Sequence, residues 1–150
     1  MTDFQEVQRF RQKWLWTLVL SPFILVSISF YMQNSFQEIP AMVAALLATV
    51  VFIYSVKLTV RVEEDGIHIK LFPLHLKDRV ISYDEIESFS SEDYQPIREF
   101  GGWGLRWRPG KIAYSTSGSR GVRIKRNGDK DVMIGSRKPE ELEEAIREKL

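Results

Sequence analysis

The fold of this chain is decided by two uncharged apolar runs, WLWTLVLSPFILVSISFYM at residues 14–32 and IPAMVAALLATVVFIYSV at residues 39–56. An α-helix needs roughly 20 apolar residues to cross the hydrocarbon core of a bilayer, and each run is close to that length. The polar break at residues 33–38 is short enough to force two such helices antiparallel. The sequence therefore predicts a transmembrane helical hairpin. The alternative is a helical hairpin buried inside a water-soluble protein.

Local residue choices within the two runs fit this interpretation. Pro40 suits the first turn of the second helix, where a missing N–H costs nothing, whereas Pro22 lies inside the first helix and is expected to kink it. Ala41, Ala45 and Thr49 recur every four residues, and small residues at that spacing favour close packing of helices in lipid. The alternative is that alanine is simply common in such helices.

Cations flank the two runs but are absent from the break between them. By the positive-inside rule this predicts that both termini lie in the cytoplasm, with the helices in the cell inner (plasma) membrane. Residues 1–13 are then a polar cytoplasmic segment, and no small-residue cleavage site follows the first run. The flanking cations are Arg9, Arg11 and Lys13 before the first run, and Lys57, Arg61 and Lys70 after the second.

After Lys57 the apolar period changes from helical to alternating, which predicts a β-rich domain over residues 57–150. Hairpin turns are expected at Glu64-Asp65-Gly66 and at Asn127-Gly128, and Pro139 followed by glutamates marks the start of a closing helix. About seven strands and one helix make an α+β fold with an antiparallel sheet. The expected strands lie near residues 58–63, 67–71, 79–83, 86–90, 103–107, 111–116, 121–126 and 131–134.

Four blocks in this domain are distinctive: REFGGWGLR at residues 98–106, AY at 113–114, GSRGV at 118–122 and IGSRKPEEL at 134–142. With the two preceding spans, they resemble a group of small bacterial membrane proteins in which two N-terminal spans precede a pleckstrin-homology-like domain. The resemblance implies that fold and a membrane setting, but no established reaction. The lipid-binding motif of eukaryotic pleckstrin homology domains is missing, so lipid specificity does not carry over.

A basic and aromatic stretch at residues 100–128 is the strongest candidate for a functional surface, because it holds seven cations and no carboxylate. On a domain tethered to the cytoplasmic leaflet, such a surface is expected to meet anionic lipid headgroups or another membrane protein. Alternatively, these cations are ordinary solvated strand positions. A nucleic-acid role is disfavoured, because no nucleic-acid-binding motif accompanies them. The candidate binding residues are Trp103, Arg106, Trp107, Arg108, Lys111, Arg120, Arg123, Lys125 and Arg126.

Enzymatic chemistry has little support in the sequence. There is no cysteine, neither His68 nor His75 has a ligand-spaced partner, and no nucleophile motif is present. We therefore expect a non-enzymatic binding module without metal or cofactor. The alternatives are a membrane-bound enzyme using carboxylates at residues 84–93, and an oligomeric membrane assembly with the β domain as a regulatory cap. The carboxylates are Asp84, Glu85, Glu87, Glu92 and Asp93.

Overall fold

A computed structural model describes residues 4–150 and divides the chain into two compact units. One unit is the segment Phe10–Val56. The other combines the residues up to Arg9 with Lys57–Leu150, so the helical segment is an insertion between two parts of one β-rich domain.

The helical unit contains the two predicted helices, α1 at Lys13–Met32 and α2 at Ile39–Ser55. Both are long and apolar enough to cross a membrane, and no residue of either apolar window is buried within the described chain. Pro22 lies inside α1 and cannot donate to the carbonyl of Leu18; the Ser21 hydroxyl donates to that carbonyl instead, at 3.3 Å. A local side chain therefore satisfies the backbone group that the proline leaves free.

The small-residue face of α2 lies toward α1 within this unit. Ala41 and Ala45 line a shared apolar cavity with Phe23 and Val26 of α1. Alanine has no side chain beyond Cβ, so at these positions α2 leaves room for the larger side chains of α1. This arrangement is consistent with the prediction that the small residues of α2 form a face for close helix packing.

The β-rich unit contains two sheets. The first sheet contains β1 at Gln5–Arg9, β2 at Lys57–Glu63, β3 at Gly66–Phe72 and β4 at Arg79–Ile81, which pair antiparallel in the order β1-β2-β3-β4. The second contains β5 at Ile86–Asp93, β6 at Gly104–Arg108, β7 at Lys111–Ser115, β8 at Arg120–Arg126 and β9 at Asp131–Gly135. Its strand order is β5-β8-β9-β7-β6, and helix α3 follows at Pro139–Lys149.

The core lies between apolar faces that follow from strand alternation. Strand β2 alternates strictly, so Leu58, Val60 and Val62 are fully buried while the residues between them are half-buried. Helix α3 packs against β5, β8 and β2 and buries Leu142 and Ile146. The α+β class and the closing helix are confirmed.

Strand β1 was not predicted, because residues 1–13 were expected to be a separate polar segment. Instead, Gln5–Arg9 pairs antiparallel with β2 and joins the first sheet. Gln8 is the buried residue of β1: its amide donates to the Gly135 carbonyl at 2.7 Å and accepts from the Thr116 hydroxyl at 3.2 Å. A strand whose buried side chain is an amide gives no apolar alternation for the sequence to reveal.

The second sheet is mixed, so the prediction of a purely antiparallel domain is wrong in this detail. Strands β7 and β9 pair parallel, in the register Ile112 to Val132 and Tyr114 to Ile134. Strands β2 to β9 correspond to the eight positions expected from residue 58 onward, although the number of strands was put at about seven, and β1 makes nine in residues 4–150. Alternation locates strands, but it does not say which distant strand becomes the neighbour.

Candidate functional site

Strands β6 and β7 form a hairpin at the edge of the second sheet. The turn between them is Pro109-Gly110, in which Gly110 adopts a φ of 71° that favours glycine. Strand β6 has only β7 beside it, so its other edge is unpaired within the described chain. The candidate residues Trp103, Arg106, Trp107, Arg108 and Lys111 lie on this hairpin or directly before it.

Three cations share one face of the β6–β7 hairpin. Arg106 and Arg108 are alternate residues of β6, and Arg108 lies directly opposite Lys111 of β7. All three side chains are exposed, and none forms an ion pair with a carboxylate in residues 4–150. The Arg106 guanidinium instead donates to the Trp103 carbonyl at 2.9 Å. This face therefore presents three cations without an ion pair in residues 4–150, although the charge of Lys111 also acts on Glu99 and helps to lower its pKa.

Trp107 lies on the opposite face of the same hairpin, across from Ile112. Its side chain is 68% exposed, which is unusual for the largest apolar residue of an edge strand. An amphipathic ring in this position suits an interface between water and an apolar phase.

Trp103 has a structural role that the sequence did not reveal. Its indole N–H donates to the Gly118 carbonyl at 2.7 Å, which ties the loop before β6 to the loop before β8. The preceding glycines end a π-helical turn at Pro96–Phe100: Gly101 has a φ of 77° and its N–H donates to the Ile97 carbonyl at 2.9 Å. The structural interpretation of this glycine block is therefore supported by its backbone.

Strand β8 carries the remaining candidate cations, and three of them are neutralised by carboxylates. Strand β5 pairs antiparallel with β8 along its whole length and supplies two of these partners, Glu92 and Asp93. The pairs are Arg120 with Asp93 at 3.3 Å and with Glu140, Arg123 with Glu92 and with Glu99 at 2.8 Å, and Arg126 with Glu85 at 3.5 Å and with Asp129 at 2.9 Å.

The pairing of Arg123 with Glu92 and Glu99 is the least exposed of these. The Arg123 side chain is 15% exposed and the two carboxylates are about one-third exposed. Burial raises the pKa of Glu99, but other interactions outweigh burial and leave that pKa below its ordinary value. These interactions are the hydrogen bonds that Glu99 accepts from Arg123 and from the Gln95 amide, and the positive charges of Arg123 and Lys111. Burial lowers the pKa of Arg123, and the same two carboxylates reverse this and raise it.

The nine candidate residues therefore fall into two groups rather than one surface. Strand β9 separates β8 from β7, so the β8 cations do not adjoin the β6–β7 hairpin. Lys125 is the exception within β8, because it is exposed and has no ion pair in residues 4–150. The hairpin group retains free charge and an exposed indole, and these are the properties that anionic ligands recognise.

The carboxylates at residues 84–93 do not converge on one site. Glu85, Glu92 and Asp93 each pair with a different arginine of β8. Asp84 lies in a short turn before β5, and Glu87 is exposed on that strand. These contacts explain the acidic stretch as the complement of the basic strand beside it.

A polar cluster around His68 was missed by the sequence reasoning, which gave this histidine no partner. His68 Nε2 lies 2.8 Å from Asp65 Oδ1 and 3.7 Å from a Glu63 carboxylate oxygen, because the β2–β3 turn brings these residues together. The hydrogen bond from His68 lowers the pKa of Asp65. Arg61 pairs with Glu63 at 3.0 Å, so the cluster is an ion-pair network on the outer face of the first sheet.

Comparison with known proteins finds no matching family model, no matching curated protein and no matching solved structure.

Proposed function

We propose that this protein is a non-enzymatic, membrane-anchored module whose β domain has a pleckstrin-homology-like fold and binds the anionic inner leaflet through the β6–β7 hairpin. Helices α1 and α2 form the anchor, and both termini and the β domain lie in the cytoplasm. The proposal retains Arg106, Trp107, Arg108 and Lys111 as binding residues. It assigns Trp103 and the arginines of β8 to structural roles.

The observation that carries this proposal is the free charge on the hairpin. Arg106, Arg108 and Lys111 lie on one exposed face and form no ion pair with a carboxylate of the described residues 4–150, and Trp107 is exposed on the other face. A cation close to an anionic membrane contributes about 1 kcal/mol of binding free energy. Three such cations are therefore enough to hold a tethered domain against anionic lipid.

The tether strengthens weak contacts, because it keeps the β domain near the membrane. Three residues separate β1 from α1, and a single residue, Val56, separates α2 from β2. Connections this short give the domain a high effective concentration at the bilayer surface. Individual lipid contacts then need little affinity of their own.

The pleckstrin-homology-like assignment is supported by element order and by the blocks at residues 98–106 and 134–142. A run of short strands precedes a single C-terminal helix, and α3 buries Leu142 and Ile146 against the sheets. The parallel pairing of β7 with β9 and the pairing of β1 with β2 are two features of this domain that its sequence pattern did not anticipate.

A membrane-protein partner is the second candidate ligand of the same surface. Strand β6 is an edge strand, and an unpaired edge can accept a strand from another chain. A partner of this kind would carry acidic residues opposite Arg106 and Arg108.

Hydrogen–deuterium exchange on the full-length chain in lipid nanodiscs tests the proposal. We expect the backbone amides of Gly104–Arg108 and Lys111–Ser115 to gain protection in nanodiscs containing phosphatidylglycerol relative to phosphatidylcholine alone, and to lose that protection in high salt. The amides of Arg120–Arg126 serve as the internal control and should not change. Equal exchange of the hairpin in both lipids would contradict lipid binding, and protection requiring a second protein would favour the partner.

A further inference from the structure

The register of the first sheet identifies one end of the β domain as the end from which both helices leave. The last residue of β1, Arg9, pairs with the first residue of β2, Lys57. Lys57 in turn pairs with Phe72, the last residue of β3. The loop at residues 73–78 begins directly after Phe72, so it starts next to the two points where the chain enters and leaves the helical segment.

This loop is held in place at two points. The His75 amide donates to the Leu71 carbonyl at 2.7 Å, and the His75 ring packs against the Tyr114 ring with a centroid distance of 5.9 Å. Further along, Asp78 pairs with Arg61 and lies 3.6 Å from Lys70. A backbone hydrogen bond and the side chains of His75 and Asp78 therefore hold this loop against the sheets.

Two leucines project from this loop into solvent. Leu74 is 57% exposed and Leu76 is 76% exposed, the second value being among the highest of any apolar residue in the β domain. His75 between them is half-buried, and its burial, followed by the charge of Arg79, lowers its pKa. Exposed Lys77 follows them. Two apolar side chains beside a cation form a pattern that suits the boundary between headgroups and acyl chains.

We propose that Leu74 and Leu76 insert into the interfacial layer of the bilayer that α1 and α2 cross. The proposal rests on the membrane setting of the proposed function, but not on its anionic lipid. A single residue, Val56, separates Lys57 from α2, and Lys57 pairs with Phe72 on the neighbouring strand. If α2 crosses the bilayer, the loop that follows Phe72 therefore begins a short distance along the chain and across one strand pair from the membrane surface. Burial of the leucine side chains supplies the affinity, since apolar surface leaves water.

This contact differs from that of the β6–β7 hairpin in its expected dependence on lipid and salt. Leucine insertion is driven by the hydrophobic effect, so it should persist in zwitterionic lipid and at high ionic strength. Binding by the hairpin cations should require anionic lipid and weaken with salt. The two contacts are therefore separable by measurement on one preparation.

Site-specific fluorescence on the reconstituted full-length chain tests the insertion. The chain has no cysteine, so Leu76→Cys provides a single site for an environment-sensitive NBD label. Leu150→Cys is the matched control: Leu150 is 59% exposed and its neighbour Lys149 pairs with Glu64, at the opposite end of β2 from Lys57. Both substitutions replace exposed leucines, so neither should disturb the core.

In phosphatidylcholine vesicles we expect the label at residue 76 to emit at shorter wavelength than the label at residue 150. It should also be quenched several-fold more by shallow nitroxide lipids and several-fold less by aqueous iodide. Equal emission and equal quenching at the two sites would overturn the proposal. A lipid-inserted label at residue 76 with no response of the hairpin to phosphatidylglycerol would retain this inference and reject the proposed anionic ligand.

Discussion

Strand β8 and the β6–β7 hairpin have similar sequences but very different electrostatic environments. Both alternate cations with apolar residues, and both lie in the stretch of the chain that lacks carboxylates. In β8 the arginines form ion pairs with carboxylates of β5 and of nearby segments, whereas the hairpin cations form no ion pair within residues 4–150. The comparison teaches that the sequence neighbours of a basic residue do not determine its free charge; the neighbouring strand in the sheet does.

Sheet order explains the difference. Strand β5 pairs along the length of β8, and this brings the acidic stretch before residue 100 against the basic stretch after it. Strand β6 lies at the edge of the sheet, so no strand of residues 4–150 lies beyond Arg106 and Arg108 to supply a carboxylate. The β8 arginines are therefore held in ion pairs within the sheet, and the hairpin cations are exposed without one in residues 4–150.

The largest expected effect is on lipid binding by the hairpin. Replacing Arg106, Arg108 and Lys111 with Gln should shift the equilibrium between lipid-bound and free hairpin by about 3 kcal/mol in anionic vesicles, at about 1 kcal/mol per cation. An NBD label at Pro109→Cys in the hairpin turn reports that equilibrium. The matched control is Arg120→Gln with Lys125→Gln on β8, which should leave the signal unchanged; an equal loss in the control would mean that net charge alone matters.

The next effect is on stability. Arg123→Ala should lower the free energy of unfolding by about 2 kcal/mol, because it leaves Glu92 and Glu99 partly buried without a cation. Denaturant unfolding of the full-length chain in detergent, followed by tryptophan fluorescence, measures this value. Lys111→Ala is the control and should fall within about 0.5 kcal/mol of the unmodified chain. Equal stability of the two variants would remove the structural distinction between the strands.

The two tryptophans extend the comparison at a smaller scale. Trp103→Phe removes the hydrogen bond to the Gly118 carbonyl and should cost about 1 kcal/mol of unfolding free energy. Trp107→Phe removes no such bond from an exposed ring and should leave stability unchanged. The same unfolding assay distinguishes them, and a greater loss for Trp107 would place that ring in the core rather than at a binding surface.

The smallest effect is a pH dependence from Glu99. Its folded-state pKa lies below the ordinary value of 4.5, so its stabilising contribution is present above that value and is lost as pH falls through the folded pKa. Stability should therefore fall on acidification below about 4.5, and the fall should be weaker in Arg123→Ala. Parallel acid titrations of the two proteins would contradict the role assigned to the Arg123–Glu99 pair.

Local features of the fold could be predicted from sequence because they depend on neighbours in the chain. The alternation through residues 58–71 located β2 and β3, and the Glu63–Gly66 pair closes the expected turn between them. Helices α1 and α2 begin and end within one residue of the predicted spans at residues 14–32 and 39–56. Pro139 begins the predicted closing helix.

Features that depend on distant pairing could not be predicted. Gln8 gives β1 a buried amide, whose partners Gly135 and Thr116 lie more than 100 residues away. The division of the candidate cations into paired and free groups depends on β5 and β8 being neighbours, which no alternation pattern contains. The exposed edge position of β6 likewise follows from sheet order alone.

The central claim is that free charge on the hairpin, and not the basic stretch as a whole, meets anionic lipid. The most direct measurement compares NBD labels at Pro109→Cys, in the β6–β7 turn, and at Asn127→Cys, in the β8–β9 turn, on full-length protein in vesicles. Added phosphatidylglycerol should shift the emission of the label at residue 109 to shorter wavelength, reversibly with salt, and leave the label at residue 127 unchanged. An equal response of both labels, or none at residue 109, would contradict the claim.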